Sequence, residues 1–295
     1  MKRGYKFFLL IGFACVAVGL VGAAVSFKTL DLDAGIANID FEKKISSTNI
    51  DTLIIQNDDS SVTFIPSNSD EIKVRLVGTM REANAPNCTM EATTEGSNVW
   101  RVDVCTKTKN HFNFGFDISE LKNLIAGRSF GLKTEVSLPD KMYKSITVSS
   151  DTGNINFKDL KSEKLTASTD TGNISIDRYE GKQINFQADT GNINIQQGQG
   201  DVKVKTDTGG ITAKLSDIGD SVTLESDTGS IRLTLDPTPK NVSFDLSTDT
   251  GSTNLDVPGL TVDRKDRHSA KGTLGDGSKK VKVSVDTGYV SVTGR

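Results

Sequence analysis

The stretch SSDTGNINF, residues 149–157, contains Asp151-Thr152-Gly153, a triplet that also marks the catalytic loops of aspartic proteases. It reads either as a working acid or as a bend in the backbone. The triplet recurs at Asp170, Asp189, Asp207, Asp227, Asp249 and Asp286, at successive spacings of 19, 19, 18, 20, 22 and 37 residues. An aspartic protease needs two carboxylates that converge and share a proton. Seven equivalent copies on one period do not supply such a pair, and a period near 20 signals a repeat architecture.

The residues around each triplet repeat as well. Counting from the Asp, positions −5, −3, +4 and +6 are Ile146, Val148, Ile155 and Phe157 in the first copy, and Leu165, Ala167, Ile174 and Ile176 in the second. The last copy has Val281, Val283, Val290 and Val292 there. Period two on both sides of a triplet predicts two half-buried strands with a corner between them. At that corner Gly153, Gly172, Gly191, Gly209, Gly229, Gly251 and Gly288 tolerate a positive φ. Asp151, Asp170, Asp189, Asp207, Asp227, Asp249 and Asp286 are expected to accept hydrogen bonds from nearby backbone N–H groups, as in an Asx-turn. Carboxylates stacked about 4.8 Å apart would repel by roughly 0.9 kcal/mol in water, which such bonding tolerates. A fainter copy, IDTLIIQNDDSSVTFIP, places Leu53, Ile55, Val62 and Phe64 around a degenerate corner at Asp58-Asp59-Ser60.

These features predict an all-β chain: a single-stranded parallel β-helix, or solenoid, of about 19-residue coils, right-handed by the crossover rule. One N-terminal transmembrane helix is expected to precede it. Lys2, Arg3 and Lys6 come before the uncharged run Phe7–Val25, which as a helix would reach roughly 28 Å, about one hydrocarbon core. The positive flank places the downstream chain outside. A cleaved signal peptide is the rival reading, with Gly22-Ala23-Ala24 as a small-residue cleavage site. The expected divisions are a membrane anchor at 1–28, the first coils at 29–80, an insertion at 81–135 and the repeat at 136–295.

Within the insertion, residues 88–105 read as a hairpin about Gly96-Ser97, which brings Cys88 opposite Cys105. Both a disulfide and a pair of free thiols fit that placement, and export permits the first. Residues 111–131 combine alternating Phe112, Phe114 and Phe116 with a short helix capped by Asp117 and Glu120. That segment reads as a lid over the sheet or as an apolar patch for a partner. Residues 257–280 read as a polar loop replacing one coil.

Chemistry-bearing constellations are sparse. The net charge is −3 and aromatic residues make up 6%, so no basic footprint points to nucleic acid. With two histidines and three cysteines scattered along the chain, no metal site, P-loop or dinucleotide fingerprint forms, and no cofactor is expected. Calcium on the Asp ladder and a carbohydrate-cleaving carboxylate pair are the functional alternatives to a purely structural ladder. The outward pairs Asn154/Asn156, Asn173/Ser175 and Asn192/Asn194 read as stacked ladders or as a binding face.

The opening coil IDTLIIQNDDSSVTFIP, the segment LKTEVSLPDKMYKSITVSSDTGNINF and the repeated corners together resemble a bacterial β-strand-repeat family. Its members are described as candidate adhesins and include the LiaG-type proteins of Gram-positive bacteria. The likeness covers residues 50–80 and 130–295. It implies a non-catalytic cell-envelope protein linked to envelope stress, with no catalytic residues to carry over. The expected partners are the membrane, through the N-terminal helix, and an envelope polymer or another envelope protein. The expected location is the cell membrane in single-pass topology, and the alternative function is a carbohydrate-active enzyme on envelope polysaccharide.

Overall fold

The computed structural model describes residues 35–106 and 131–295. From Ala37 onward these belong to one compact unit, 37–112 with 130–295; a second unit, 1–36 with 113–129, lies outside the described residues apart from Gly35 and Ile36. The described chain is β-strand throughout, save one 3-10 turn at Ala85–Asn87.

The amino-terminal strands are β1 (Ile36–Ser46), β2 (Thr52–Asp59), β3 (Ser61–Ser67), β4 (Glu71–Arg81), β5 (Met90–Glu95) and β6 (Val99–Val104). Next come β7 (Gly131–Pro139), β8 (Tyr143–Thr152), β9 (Ile155–Thr171), β10 (Ile174–Thr190), β11 (Ile193–Thr208) and β12 (Ile211–Leu235). The last are β13 (Val242–Asp256), β14 (Thr261–Lys265), β15 (Ser269–Leu274) and β16 (Lys279–Gly294). All sixteen join one sheet, whose main path is open and runs β1-β4-β7-β3-β9-β10-β11-β12-β16-β13-β15-β14. A branch carries β5, β6, β2 and β8 onto β9.

Alternation fixes which side chains enter the core. In β8, Ile146 and Val148 are wholly buried while Thr147 between them is not. Parallel pairing then aligns like with like: Ile174 lies between Ile155 and Ile193, and Ile176 between Phe157 and Ile195. The rings of Phe64 and Phe157 meet at 4.7 Å between centroids, a spacing worth about 0.5–1.5 kcal/mol beyond the area buried. Isoleucine and valine dominate these files because branched side chains fit a pleated, covered surface.

The structure corrects the expected fold class. A single-stranded parallel β-helix stacks its coils in chain order, and this chain does not. β16 lies between β12 and β13, paired parallel to both. Antiparallel ladders interrupt the stack: β4 with β7, β5 with β6, and β15 with both β13 and β14. Pairing of β11 with β12 is broken by three register shifts. The physical reason is that period two identifies what is buried, not which strand is its neighbour. Val281, Val283, Val290 and Val292 fit beside β12 as well as beside β13. The region expected to be a polar loop, 257–280, supplies β14 and β15, which fold back on β13 before β16 turns inward.

The membrane expectations are corrected too. A spanning helix needs about 20 consecutive apolar residues, and no helix among the described residues is long and apolar enough to cross a membrane. The single-pass topology, the cell-membrane location and the membrane as partner are therefore left without a spanning element among the described residues. Phe7–Val25 lies outside the described residues, as does the lid or patch read at 111–131 apart from Gly131.

Candidate functional site

The triplet corners form one continuous column. Gly153 N–H donates to Thr171 O, Gly172 N–H to Thr190 O, Gly191 N–H to Thr208 O and Gly209 N–H to Thr228 O, each at 2.9 Å. Each glycine packs its Cα against the carbonyl oxygen of the rung before it. A Cβ added at Gly172 would collide with Gly153 O, and one at Gly288 with Gly229 O. The φ angles there are +154° and +151°, a region that is essentially closed to residues with a side chain. Ser60 stands at the head of the column, where its carbonyl faces Gly153, and Gly251 closes it against Gly288.

The acids behave differently from their glycines. Asp151, Asp170, Asp189, Asp227, Asp249 and Asp286 are exposed, and Asp207 is half-buried. Among the described residues none of the seven carboxylates accepts a backbone N–H; Asp207 pairs with Lys205 at 3.0 Å. No two of them face each other across a groove, because successive triplets sit in register on neighbouring strands: Thr152 pairs with Thr171, and Thr171 with Thr190.

In four copies it is the residue before the Asp that bonds the corner, and it does so as a hydroxyl donor to a backbone carbonyl rather than as an acceptor. Thr169 donates to Gly153 O at 3.3 Å, Thr206 to Gly191 O at 3.0 Å, Ser226 to Gly209 O at 3.1 Å and Thr248 to Gly288 O at 3.3 Å. These hydroxyls are buried and would be costly if left unpaired. Sequence reasoning passed over this row. Its signal was present: Ser150, Thr169, Thr206, Ser226 and Thr248 precede the Asp in five of seven copies, at an inward-facing parity. Ala188 and Val285 are the exceptions.

A second ladder runs beside the corner. Asn173 N–H donates to Asn154 Oδ1 at 2.9 Å, Asn192 N–H to Asn173 Oδ1 at 2.8 Å, and Gly210 N–H to Asn192 Oδ1 at 2.8 Å. Ser175 Oγ donates to Asn156 Oδ1 at 2.8 Å. Their amide oxygens thus serve neighbouring rungs.

Cys88 and Cys105 are joined by a disulfide with Cα atoms 4.1 Å apart, and both are buried. The hairpin that carries them pairs Met90 with Val104 and Glu95 with Val99, one step away from the register expected about Gly96-Ser97. Cys105 meets Cys88 because it leaves the strand at φ +55°, while its N–H still donates to Thr89 O at 2.8 Å.

A cavity of about 390 Å³ opens where the ends of β3 and β7 meet β9 and β10. Leu138 and Leu160 form its floor, and Asp140, Lys161, Arg178 and Glu180 stand on its rim. Lys141 braces one wall. Its ammonium donates to Ile50 O at 2.6 Å and to Ser47 O, and lies 5.0 Å from the centre of the Tyr143 ring. Burial holds its pKa below the usual lysine value and raises that of Tyr143.

Among the described residues no group of three or more His, Cys, Asp or Glu is placed to hold a metal ion. The ladders, the braced corner and the absence of converging acids define a β-rich repeat module rather than a reaction centre. The chain belongs to the Toastrack DUF4097 family, whose sequence profile matches residues 50–199 and again 187–293. The family match and the geometry agree on a β-rich module in which no metal-holding cluster forms among the described residues. No curated protein matches the chain. Several solved structures are distantly similar, two of them as follows. A candidate cell-adhesion protein from Clostridium sporogenes shares 11% identity over 88% of this chain and 100% of its own, with a TM-score of 0.40. A candidate adhesin from Bacteroides fragilis shares 10% identity over 87% of this chain and 98% of its own, with a TM-score of 0.44.

Proposed function

We propose that this chain is a non-catalytic extracytoplasmic module of the bacterial cell envelope, of the LiaG type, which binds or braces an envelope polymer or another envelope protein and serves the response to envelope stress. The observation that carries the reading is the sameness of the rungs. One Gly column runs through all seven triplets and an Asn ladder covers three of its rungs, with no point at which two acids converge, as a cleaving site would require. The buried Cys88–Cys105 disulfide supports an oxidising compartment. Family membership supports the non-catalytic part.

The test is crosslinking in cells. A photo-reactive residue at Asn156 or Asn194, on the outward row, is expected to capture an envelope polymer or an envelope protein. The full chain is expected to leave peptidoglycan and teichoic acid intact. Turnover of either polymer that disappears on replacing a triplet Asp with Asn would overturn the reading.

A further inference from the structure

The outward rows of the sheet depart from their own pattern at one place. On the early rungs the first outward position after the corner is Asn154, Asn173 and Asn192, and the amide ladder ends on Gly210. On the last rungs that position holds Ser230, Tyr289 and Ser252. Parallel pairing sets Tyr289 between the two serines, Ser230 on β12 and Ser252 on β13. Val290 and Val292 are buried, so Tyr289 and Ser291 point outward. Tyr289 is half-buried, with only serine on either side of it in its row.

Two guanidinium groups stand on either side of that rung. Arg232 is exposed between the buried Ile231 and Leu233 and pairs in register with Ser291. It therefore lies one strand across and two residues along from Tyr289, about 8 Å between Cα atoms. Among the described residues Arg232 makes no hydrogen bond and no ion pair, whereas Arg75, Arg101, Arg178 and Arg264 each face a carboxylate. Arg267 comes from the other side, beyond β13. Its carbonyl accepts the Thr253 N–H at 2.9 Å, and its Nε donates to Gly251 O at 3.3 Å. Gly251 pairs with Gly288, the residue before Tyr289. The triplet acids of these rungs, Asp227, Asp286 and Asp249, precede the glycine corner and, among the described residues, form no ion pair with either arginine. A guanidinium with free donors matches a carboxylate or a phosphate. The negative face of an aromatic ring attracts the C–H-bearing face of a sugar. Asn254, in register with Ser291, adds an amide that both donates and accepts, as sugar hydroxyls require.

We propose that the outward face around Tyr289 binds an anionic sugar polymer. Tyr289 stacks on a sugar ring, and Arg232, with Arg267 beyond β13, pairs with the carboxylate or phosphate groups that the polymer carries. The inference deepens the envelope reading and rests on it for the polymer; it adds the face and the chemistry recognised.

Titration calorimetry on the full chain tests it, with tetragalacturonate as the carboxylated probe and pentamannose monophosphate as the phosphorylated one. At least one is expected to bind saturably, and which one identifies the anion. Neutral mannopentaose, and polyglutamate, which has the charge without the sugar, are each expected to bind at least about tenfold more weakly. Tyr289→Ala and Arg232→Gln are each expected to weaken binding about tenfold, while Tyr289→Phe, which keeps the ring, retains it. Both side chains project from the outward face, so the fold, checked by circular dichroism, is expected to persist in each variant. No saturable binding of either acidic glycan up to about 10 mM, equal binding of mannopentaose or polyglutamate, or unchanged binding in Tyr289→Ala or Arg232→Gln would overturn the proposal. Capture in cells at Asn156 or Asn194 is scored separately. Its failure with glycan binding intact refutes the envelope reading alone, and the reverse result refutes this site alone.

Discussion

Replacing Gly172 by Ala separates the two roles packed into the triplet. Gly172 is the second of the seven stacked glycines, at φ +154°, and a new Cβ there meets Gly153 O. Holding a residue with a side chain in that region costs about 1–3 kcal/mol. The collision is with backbone, so no side chain can swing aside, and relief by shifting the rung adds about 1–3 kcal/mol. The sum, roughly 2–6 kcal/mol, is a large part of the 5–15 kcal/mol that holds a typical domain together. Asp170→Asn on the same rung is expected to change stability by no more than about 0.5 kcal/mol, because that side chain is exposed and accepts no backbone bond. Urea unfolding followed by far-ultraviolet circular dichroism reads both. If Gly172→Ala unfolds at the wild-type midpoint, or Asp170→Asn proves the more damaging change, the glycine does not set the corner and the argument fails.

Ala188→Ser restores the missing hydroxyl to its rung and is expected to gain about 0.5–1.5 kcal/mol by donating to Gly172 O, read by the same urea midpoint. Replacing Cys88 and Cys105 by Ser opens a crosslink of sequence separation 17 and is expected to cost about 3 kcal/mol, seen as a lower unfolding midpoint that added reductant no longer changes. Burial raises the Tyr143 phenol above its ordinary value of 10.0. Its contribution is complete below about pH 10 and is lost as pH rises toward the folded-state value, because the unfolded chain then ionises first. Tyr143→Phe is expected to flatten the alkaline fall in stability measured across that range.

What the sequence disclosed, and what it withheld, follows from what each signal encodes. Burial of Ile155, Ile174 and Ile193 was readable because alternation is a local property of a strand. The position of β16 was not, since interchangeable valines carry no address and the gap of 37 residues before Asp286 is compatible with several routes. In the corner, the acid drew attention because it is chemically conspicuous. The glycine beside it is the residue that steric contact requires, and the quiet hydroxyl before it makes the buried bond. The hairpin of Cys88 and Cys105 was found, but its register slipped by one, because the loop holds three residues, 96–98, with Gly96 at φ +65°, where a two-residue turn about Gly96-Ser97 was expected. The cavity was invisible because Leu138, Leu160 and Arg178 come from three strands that only the tertiary fold brings together.

The interior place of β16 also bears on how the protein is made. β12 and β13 leave the ribosome well before residues 279–294, the strand that joins them. Until those residues emerge, a nascent chain carries two bare hydrogen-bonding edges, residues 221–235 of β12 and 242–256 of β13, and unpaired edges of that kind recruit other chains. Stalled or truncated synthesis within that window therefore yields a sticky intermediate, so this segment sets the protein's demand on holding chaperones.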